Sequence, residues 1–345
     1  MSDAEEPITI KEIARKSGVS IGTVDRVLHN RGRVSRENAE KIRRIIEETG
    51  YVPNPHASTL SNRRHYRIAI LLPDTNQEFG FWKGPVSGAD KAFSELKSYR
   101  FTGDYFFYNR YRDSDFESEG GKVLENLDRY DALLMAPVLT GPAAEFLMKL
   151  PEDFPVVLID SPVPGARPCT CIGHDSFKSG QLAARLLGRL LDGAGPVALL
   201  KCSDKDFHIR ERIRGFRSFF SEKAPSVQIN EYLLDRPENL PEVLESVFKE
   251  GVSLSGIFVT DASAHAAVPV LQGRKKIPLI GFELTERNRR ALGEGTIDFL
   301  INLRAEEQGY KGILALYDRL VMKKTGIETI MLPMDILAPE NIDFF

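Results

Sequence analysis

Ile21, Gly22, Thr23 and Arg26 fall at the start of one short apolar-periodic segment, at a spacing that turns them outward near the beginning of a helix that Ser20 would cap. A guanidinium there can donate to a phosphate or a base edge, and a hydroxyl can donate to a phosphate. Ile21 offers only apolar contact, for instance to a thymine methyl, and Gly22 offers no side chain at all. The chemistry these residues suit is recognition of a DNA major groove.

The elements that must hold them can be read on either side. Thr9 and Glu12 form a capping box, in which the hydroxyl satisfies an orphan helix N–H and the carboxylate reaches back. Ile10, Ile13 and Ala14 then recur at helical spacing, Gly18 permits a turn, Val19 plugs a small core, and Val24, Val27 and Leu28 give the second helix its buried side. Taken alone, these twenty residues also suit any small helical hairpin. A third helix is expected at about 36–49, capped by Ser35, with Ala39, Ile42, Ile45 and Ile46 as its apolar stripe and Gly50 as its end. Thr9, Lys11, Ser20, Thr23, Arg33, Ser35 and Arg36 are candidate contacts that would orient the unit without reading sequence.

Other reactive residue types do not assemble. Gly173-His174-Asp175 invites a catalytic or metal reading, but His29, His56, His65, His208 and His265 show no spacing that completes a metal site. Cys169-Thr-Cys171 makes a poor chelate, and no second pair accompanies it. No GxSxG elbow, GxGxxG or GxxxxGK[ST] loop follows a strand, and there is no paired-carboxylate pattern. The expectation is a protein that is not an enzyme, with no catalytic residue, resident metal or cofactor.

The 345 residues carry a formal charge of −3 that hides an asymmetry. Residues 1–65 hold 12 Lys and Arg against 9 Asp and Glu, and the remainder holds 34 against 40. A basic head on an acidic body suits contact with phosphates at one end only. Three cysteines are too few for a disulfide framework, which implies a reducing compartment. There is neither an apolar signal region nor a run approaching the roughly 20 residues of a membrane span. A cytoplasmic location is expected.

From residue 66 onward, short apolar strands alternate with amphipathic helices in two series, beginning with Arg67–Leu72 and with Val197–Lys201. Alternation of this kind makes parallel sheets with helices on both faces, and two series make two similar lobes. A ligand would sit beyond the carboxyl ends of the strands, in the cleft between the lobes.

In order along the chain, TIKEIA, GVS, TVxRVL, VS at 34–35, GYVPN at 50–54 and A..L at 57–60 resemble the lactose-repressor (LacI/GalR) family of transcription regulators. The resemblance runs through the first sixty residues and, more loosely, to the C-terminus. It implies an all-α helix-turn-helix head at 1–53, a hinge helix and linker at 54–65, and an α/β effector-binding and dimerisation body at 66–345 like that of periplasmic sugar-binding proteins. The chain would cross between lobes three times, with lobe one at about 66–171 plus 298–326 and lobe two at about 172–297 plus 329–345. In the hinge, Asn54, Ala57 and Leu60 would touch DNA, and Leu60 would wedge into the minor groove as apolar side chains can. Asp25 stands where most members have serine, and is read as buttressing Arg26.

The same resemblance places Arg212, three residues before Gly215, and Glu283 in LIGFELT in the effector pocket. Phe81, Trp82, Asp113, Asp160, Thr260 and Asp261 complete the implied set. A guanidinium fork suits adjacent sugar hydroxyls, and a flat indole can stack on a sugar face. The implied protein is a homodimeric regulator, in the first place a repressor, binding pseudo-palindromic double-stranded operator DNA under the control of a small ligand, most simply a carbohydrate. A purine-type corepressor, a pure solute-binding protein and an enzyme built on the cleft are the alternatives.

Overall fold

The structure is a computed structural model that describes residues 8–28, 32, 34–51, 64–192, 195–204 and 206–345. It divides into two units, Met1–Arg64 and His65–Phe345.

The first unit is a three-helix head: α1 Ile10–Ser17, α2 Ile21–Leu28 and α3 Arg36–Thr49. The capping box forms as the sequence requires, with Thr9 accepting from the Glu12 backbone and Glu12 accepting from the Thr9 backbone. Gly18 ends α1 at φ +71°, in the left-handed region where a side chain would be strained. Ser20 accepts from the Thr23 backbone at 3.2 Å and starts α2. Ile13, Ala14, Val24, Val27 and Ile42 are the buried centre, so each helix sends its apolar stripe inward.

The second unit is two doubly wound lobes. Lobe one runs β1 Tyr66–Pro73, α4 Lys83–Glu95, β2 Phe101–Tyr108, α5 Asp113–Glu125, β3 Ala132–Met135, α6 Thr140–Lys149, β4 Val156–Asp160 and β5 Thr170–Gly173. Lobe two runs α7 Ser176–Leu190, β6 Val197–Lys201, α8 Phe207–Lys223, β7 Ile229–Leu233, α9 Leu240–Lys249, β8 Gly256–Val259, α10 Val268–Leu271, β9 Leu279–Phe282, α11 Glu286–Gly293 and β10 Phe299–Asn302. The tail supplies α12 Ala305–Leu320, β11 Thr329–Met331 and β12 Asp335–Leu337. The sheets are ordered β11-β5-β4-β3-β1-β2 and β12-β10-β9-β8-β6-β7, parallel throughout except for β12 against β10. Each reverses its winding between its first and third strands, and that switch point is where such sheets bind ligands.

Burial on both faces explains the unbroken apolar strands. In β1, Ile68, Ile70 and Leu72 enter one core layer while Ala69 and Leu71 enter the other. In β6, Ala198 and Leu200 face one layer, and Val197 and Leu199 the other. Such strands lose the polar alternation of a half-exposed sheet.

The tail corrects the expected lobe boundaries. Phe299–Asn302 pairs with β9 and stays in lobe two, whereas Thr329–Met331 pairs with β5 in lobe one. Residues 172–173, expected in lobe two, belong to β5. The three crossings therefore fall at 174–175, 303–304 and 332–334. Hydrogen bonding to an open sheet edge decides which lobe a short apolar strand joins, and its own composition does not.

Candidate functional site

Cleft residues arrive from the carboxyl ends of strands in both lobes. Lobe one contributes Glu78, Phe81 and Trp82 after β1, Arg110 after β2, and Asp160 at the end of β4. Lobe two contributes His208 and Arg212 on α8, Asp261 and Ala262 after β8, and Glu283 after β9. Together they enclose about 20 Å³, room for a water or two. A monosaccharide is far larger, so a ligand of that size enters only as the lobes part.

Charges from the two lobes meet inside. The Arg110 guanidinium pairs with Glu78 of its own lobe and with Asp206 of lobe two, all three buried. Trp82 Nε1 donates to Glu78 at 2.6 Å, which ties the aromatic wall to the same cluster. Burial lowers Arg110, but the surrounding negative groups, Asp206 first among them, together outweigh it and hold the guanidinium above its ordinary value. Nearby, His208 Nδ1 lies 3.3 Å from Asp160 and 3.1 Å from Ser161 Oγ, again across the cleft. Burial depresses His208, so its imidazole is neutral at pH 7.

Arg212 is set deep in lobe two because α7 and α8 cross at close range. A Cβ on Gly215 would strike the Phe177 carbonyl, and one on Gly180 would strike the Arg212 carbonyl. The guanidinium lies 3.8 Å over the Phe282 ring and donates through Nη1 to the Thr260 carbonyl. Its Nε and the Thr260 hydroxyl are buried with no hydrogen-bond partner. Burial lowers Arg212 and pushes Glu283 up to about 8, because desolvation exceeds what the two charges return to each other.

The backbone is strained where these groups are presented. Among the described residues, seven non-glycine residues have positive φ; Glu78, Phe79, Asp160 and Glu283 are at the cleft, and Arg304 is in a crossing. Such conformations cost about 1–3 kcal/mol each and persist where surrounding structure over-determines them. Gln308 shows how: its Oε1 accepts from the Asp160 backbone at 2.8 Å and its Nε2 donates to the Leu303 carbonyl at 3.1 Å. The Leu303 N–H in turn donates to Glu283. Arg304 closes the hinge from the other side with a bidentate bond to Asp335, at 2.9 and 2.8 Å, linking the second crossing to the third.

Of the residues expected in the pocket, Phe81, Trp82, Asp160, Arg212, Asp261 and Glu283 surround the cavity. Thr260 stands behind it, holding Arg212. Asp113 does not join them, because it is exposed at the first turn of α5, where a carboxylate suits the helix dipole. Glu78, Arg110, Asp206, His208 and Gln308 were not anticipated. His174 is buried at the first crossing and desolvation lowers it to about 4. Cys169 and Cys171 enter one apolar layer of lobe one, where burial raises both thiols, Cys171 to about 12.

In the head, Ile21, Gly22 and Arg26 are exposed on α2, with Thr23 half-buried beside Ser20, whose hydroxyl it meets at 2.9 Å. Thr9 and Lys11 are exposed on α1. Ser35 caps α3, and Arg36 pairs with Glu40 at 3.0 Å. Arg33 and the hinge residues Asn54, Ala57 and Leu60 lie outside the described residues. No helix among the described residues is long and apolar enough to cross a membrane.

A cleft between two doubly wound sheets, with a helix-turn-helix unit earlier in the chain, defines a two-lobed binding protein joined to a DNA-binding head. The chain belongs to the periplasmic binding protein domain family, matched over residues 68–324, and its residues 9–54 match the bacterial regulatory proteins of the lacI family. It is 26% identical to the HTH-type transcriptional regulator DegA of Bacillus subtilis, over 66% of this chain and 64% of that protein. It is 30% identical to the HTH-type transcriptional regulator GalS of Salmonella typhimurium, over 52% of this chain and 50% of that one. The crystal structure of a putative LacI transcriptional regulator from Bacteroides fragilis superposes with a TM-score of 0.75 at 27% identity, covering 82% of this chain and all of that one.

Proposed function

We propose that this chain is a sequence-specific DNA-binding transcription regulator, acting as a homodimeric repressor whose operator affinity is set by a small polyhydroxylated ligand in the cleft. The observation that carries the reading is the presence in one chain of α2, with Ile21, Gly22 and Arg26 exposed, and of a cleft where both lobes converge polar side chains on one cavity. One short helix reads too few base pairs for a unique site, so a two-fold pair reading a pseudo-palindrome is the economical arrangement. Asn54, Ala57 and Leu60 are assigned to the DNA side by the resemblance of 50–60 to the family's hinge. An aromatic wall beside carboxylates and a guanidinium suits the apolar faces and hydroxyl edges of a carbohydrate or carbohydrate derivative. Control follows if the ligand binds one lobe arrangement better than another, since only differential affinity shifts such an equilibrium.

The test is selection of duplexes from a random pool by the full-length protein, followed by binding measurements on the enriched sequence at several salt concentrations. Enrichment of a pseudo-palindrome, bound at least about a thousandfold tighter than scrambled DNA, is expected. Retention of DNA with no sequence preference overturns the reading.

A further inference from the structure

We infer that the ligand of the cleft is a cation, a hydroxylated amine such as an amino sugar, in preference to a neutral sugar or a sugar acid. The inference rests on the cleft being the ligand site, and it comes from the balance of charges enclosed there. Glu78, Asp160, Asp261 and Glu283 line the cavity, against the guanidiniums of Arg110 and Arg212. Arg110 is already shared by Glu78 and Asp206, so its charge is consumed. Asp160 and Asp261 are left facing Arg212 alone, and neither Glu283, kept protonated by burial, nor His208, kept neutral by it, adds charge.

Hydrogen bonding points the same way. Ser263 donates twice to Asp261 Oδ1, through its backbone and its hydroxyl, and Asp261 Oδ2 is buried with no partner. Among the described residues, Glu283 accepts from the Leu303 backbone alone, at 3.4 Å. An ammonium brings three donors and no acceptor, which matches a cavity richer in acceptors than in donors. Ring hydroxyls meet the other need, since they can accept from the unpartnered Arg212 Nε. The cleft's own cross-lobe group is also a cation, the guanidinium that Asp206 accepts from the opposite lobe. In so dry a site charge counts for far more than in water, so a carboxylate or phosphate on the ligand would be repelled. Burial is the first cause of the raised Glu283, and the neighbouring Asp160 charge adds to it.

The experiment is titration calorimetry on the full-length protein with matched probes: D-glucosamine, D-galactosamine and D-mannosamine, their neutral parent sugars, and D-glucuronate and D-galacturonate. At least one amine is expected to bind at least tenfold tighter than the neutral and acidic members of its stereochemistry. Asp261→Asn is expected to shrink that preference tenfold or more, and Asp160→Asn serves the same purpose should the first variant fail to fold. A neutral sugar or an acid binding as tightly as its amine overturns the inference while leaving the cleft reading intact. Heat from none of the three classes overturns the inference and the carbohydrate reading together.

Discussion

Arg110 of lobe one and Asp206 of lobe two form an ion pair across the cleft, and both side chains are sealed from water. Through Glu78 and Trp82 the pair is continuous with the aromatic wall, and the contact of His208 with Asp160 and Ser161 lies beside it. The chain thus supplies the charges that hold its own lobes together. A ligand that enters must replace those interactions, and under the proposed function its leverage on DNA affinity is the difference it makes between parted and closed lobes.

That pair should be measurable in a double-mutant cycle. Arg110→Met strands Glu78 and Asp206 as buried carboxylates and should cost about 3 kcal/mol or more. Asp206→Asn leaves Glu78 on the guanidinium and should cost less. Urea unfolding of the two single variants and the double should show a coupling of at least about 1 kcal/mol. Strictly additive costs would mean that the pair does not stabilise closure.

The sequence made some of this legible and hid the rest for physical reasons. Thr9 with Glu12, and the apolar run at 67–72, are local signals, and local geometry fixed them as read. Arg212 and Glu283 stand in short segments where a family pattern can place them. Arg110, Glu78 and His208 are isolated polar residues in turns or at a helix start, and they become buried only when two lobes far apart in sequence meet. Gln308 reads as a solvent-facing residue of an amphipathic helix, yet it bonds across the hinge. The lobe assignment of Phe299–Asn302 failed because strand pairing is a tertiary choice.

Stability should depend on pH in two opposed ways. Burial holds Glu283 at about 8 against an ordinary 4.5, so the folded chain keeps a proton that the unfolded chain releases. Its contribution is whole below the unfolded value and is lost as pH climbs through the folded one. His174 and His208 act in the other direction: burial depresses both below the ordinary 6.5, and stability falls as pH drops below that value. In Glu283→Gln, the decline between about pH 6 and 8 should flatten by on the order of 1 kcal/mol per pH unit while the acid limb stays. Parallel curves for variant and parent would refute the assignment.

Gly215→Ala should be costly although it adds one methyl group. Its Cβ would enter the Phe177 carbonyl, forcing α7 and α8 apart and moving Arg212 with them. A loss of about 1–3 kcal/mol is expected from urea unfolding, in the range of overpacked cores. Gly121→Ala, in open space on α5, is the control and should be stable. Equal midpoints for the two would show that the helix crossing relaxes freely.

The outward face of α2 has an unusual balance for a reading helix: Ile21 is 45% exposed, Gly22 has no side chain, and the Ser20 and Thr23 hydroxyls engage each other. Arg26 is the long charged donor left exposed on that helix. Specificity should therefore come from Arg26, from the hinge at Leu60, and from the shape and deformability of the operator. Arg26→Ala should weaken the selected operator by about ten- to a hundredfold, in line with loss of one bidentate contact. Leu60→Ala should reduce both affinity and DNA bending if the side chain wedges between base steps. Ile21→Ala should matter mainly at one thymine. A base-by-base scan of the operator decides among these contributions, and strongest discrimination beneath Ile21 and Gly22 would overturn the assignment.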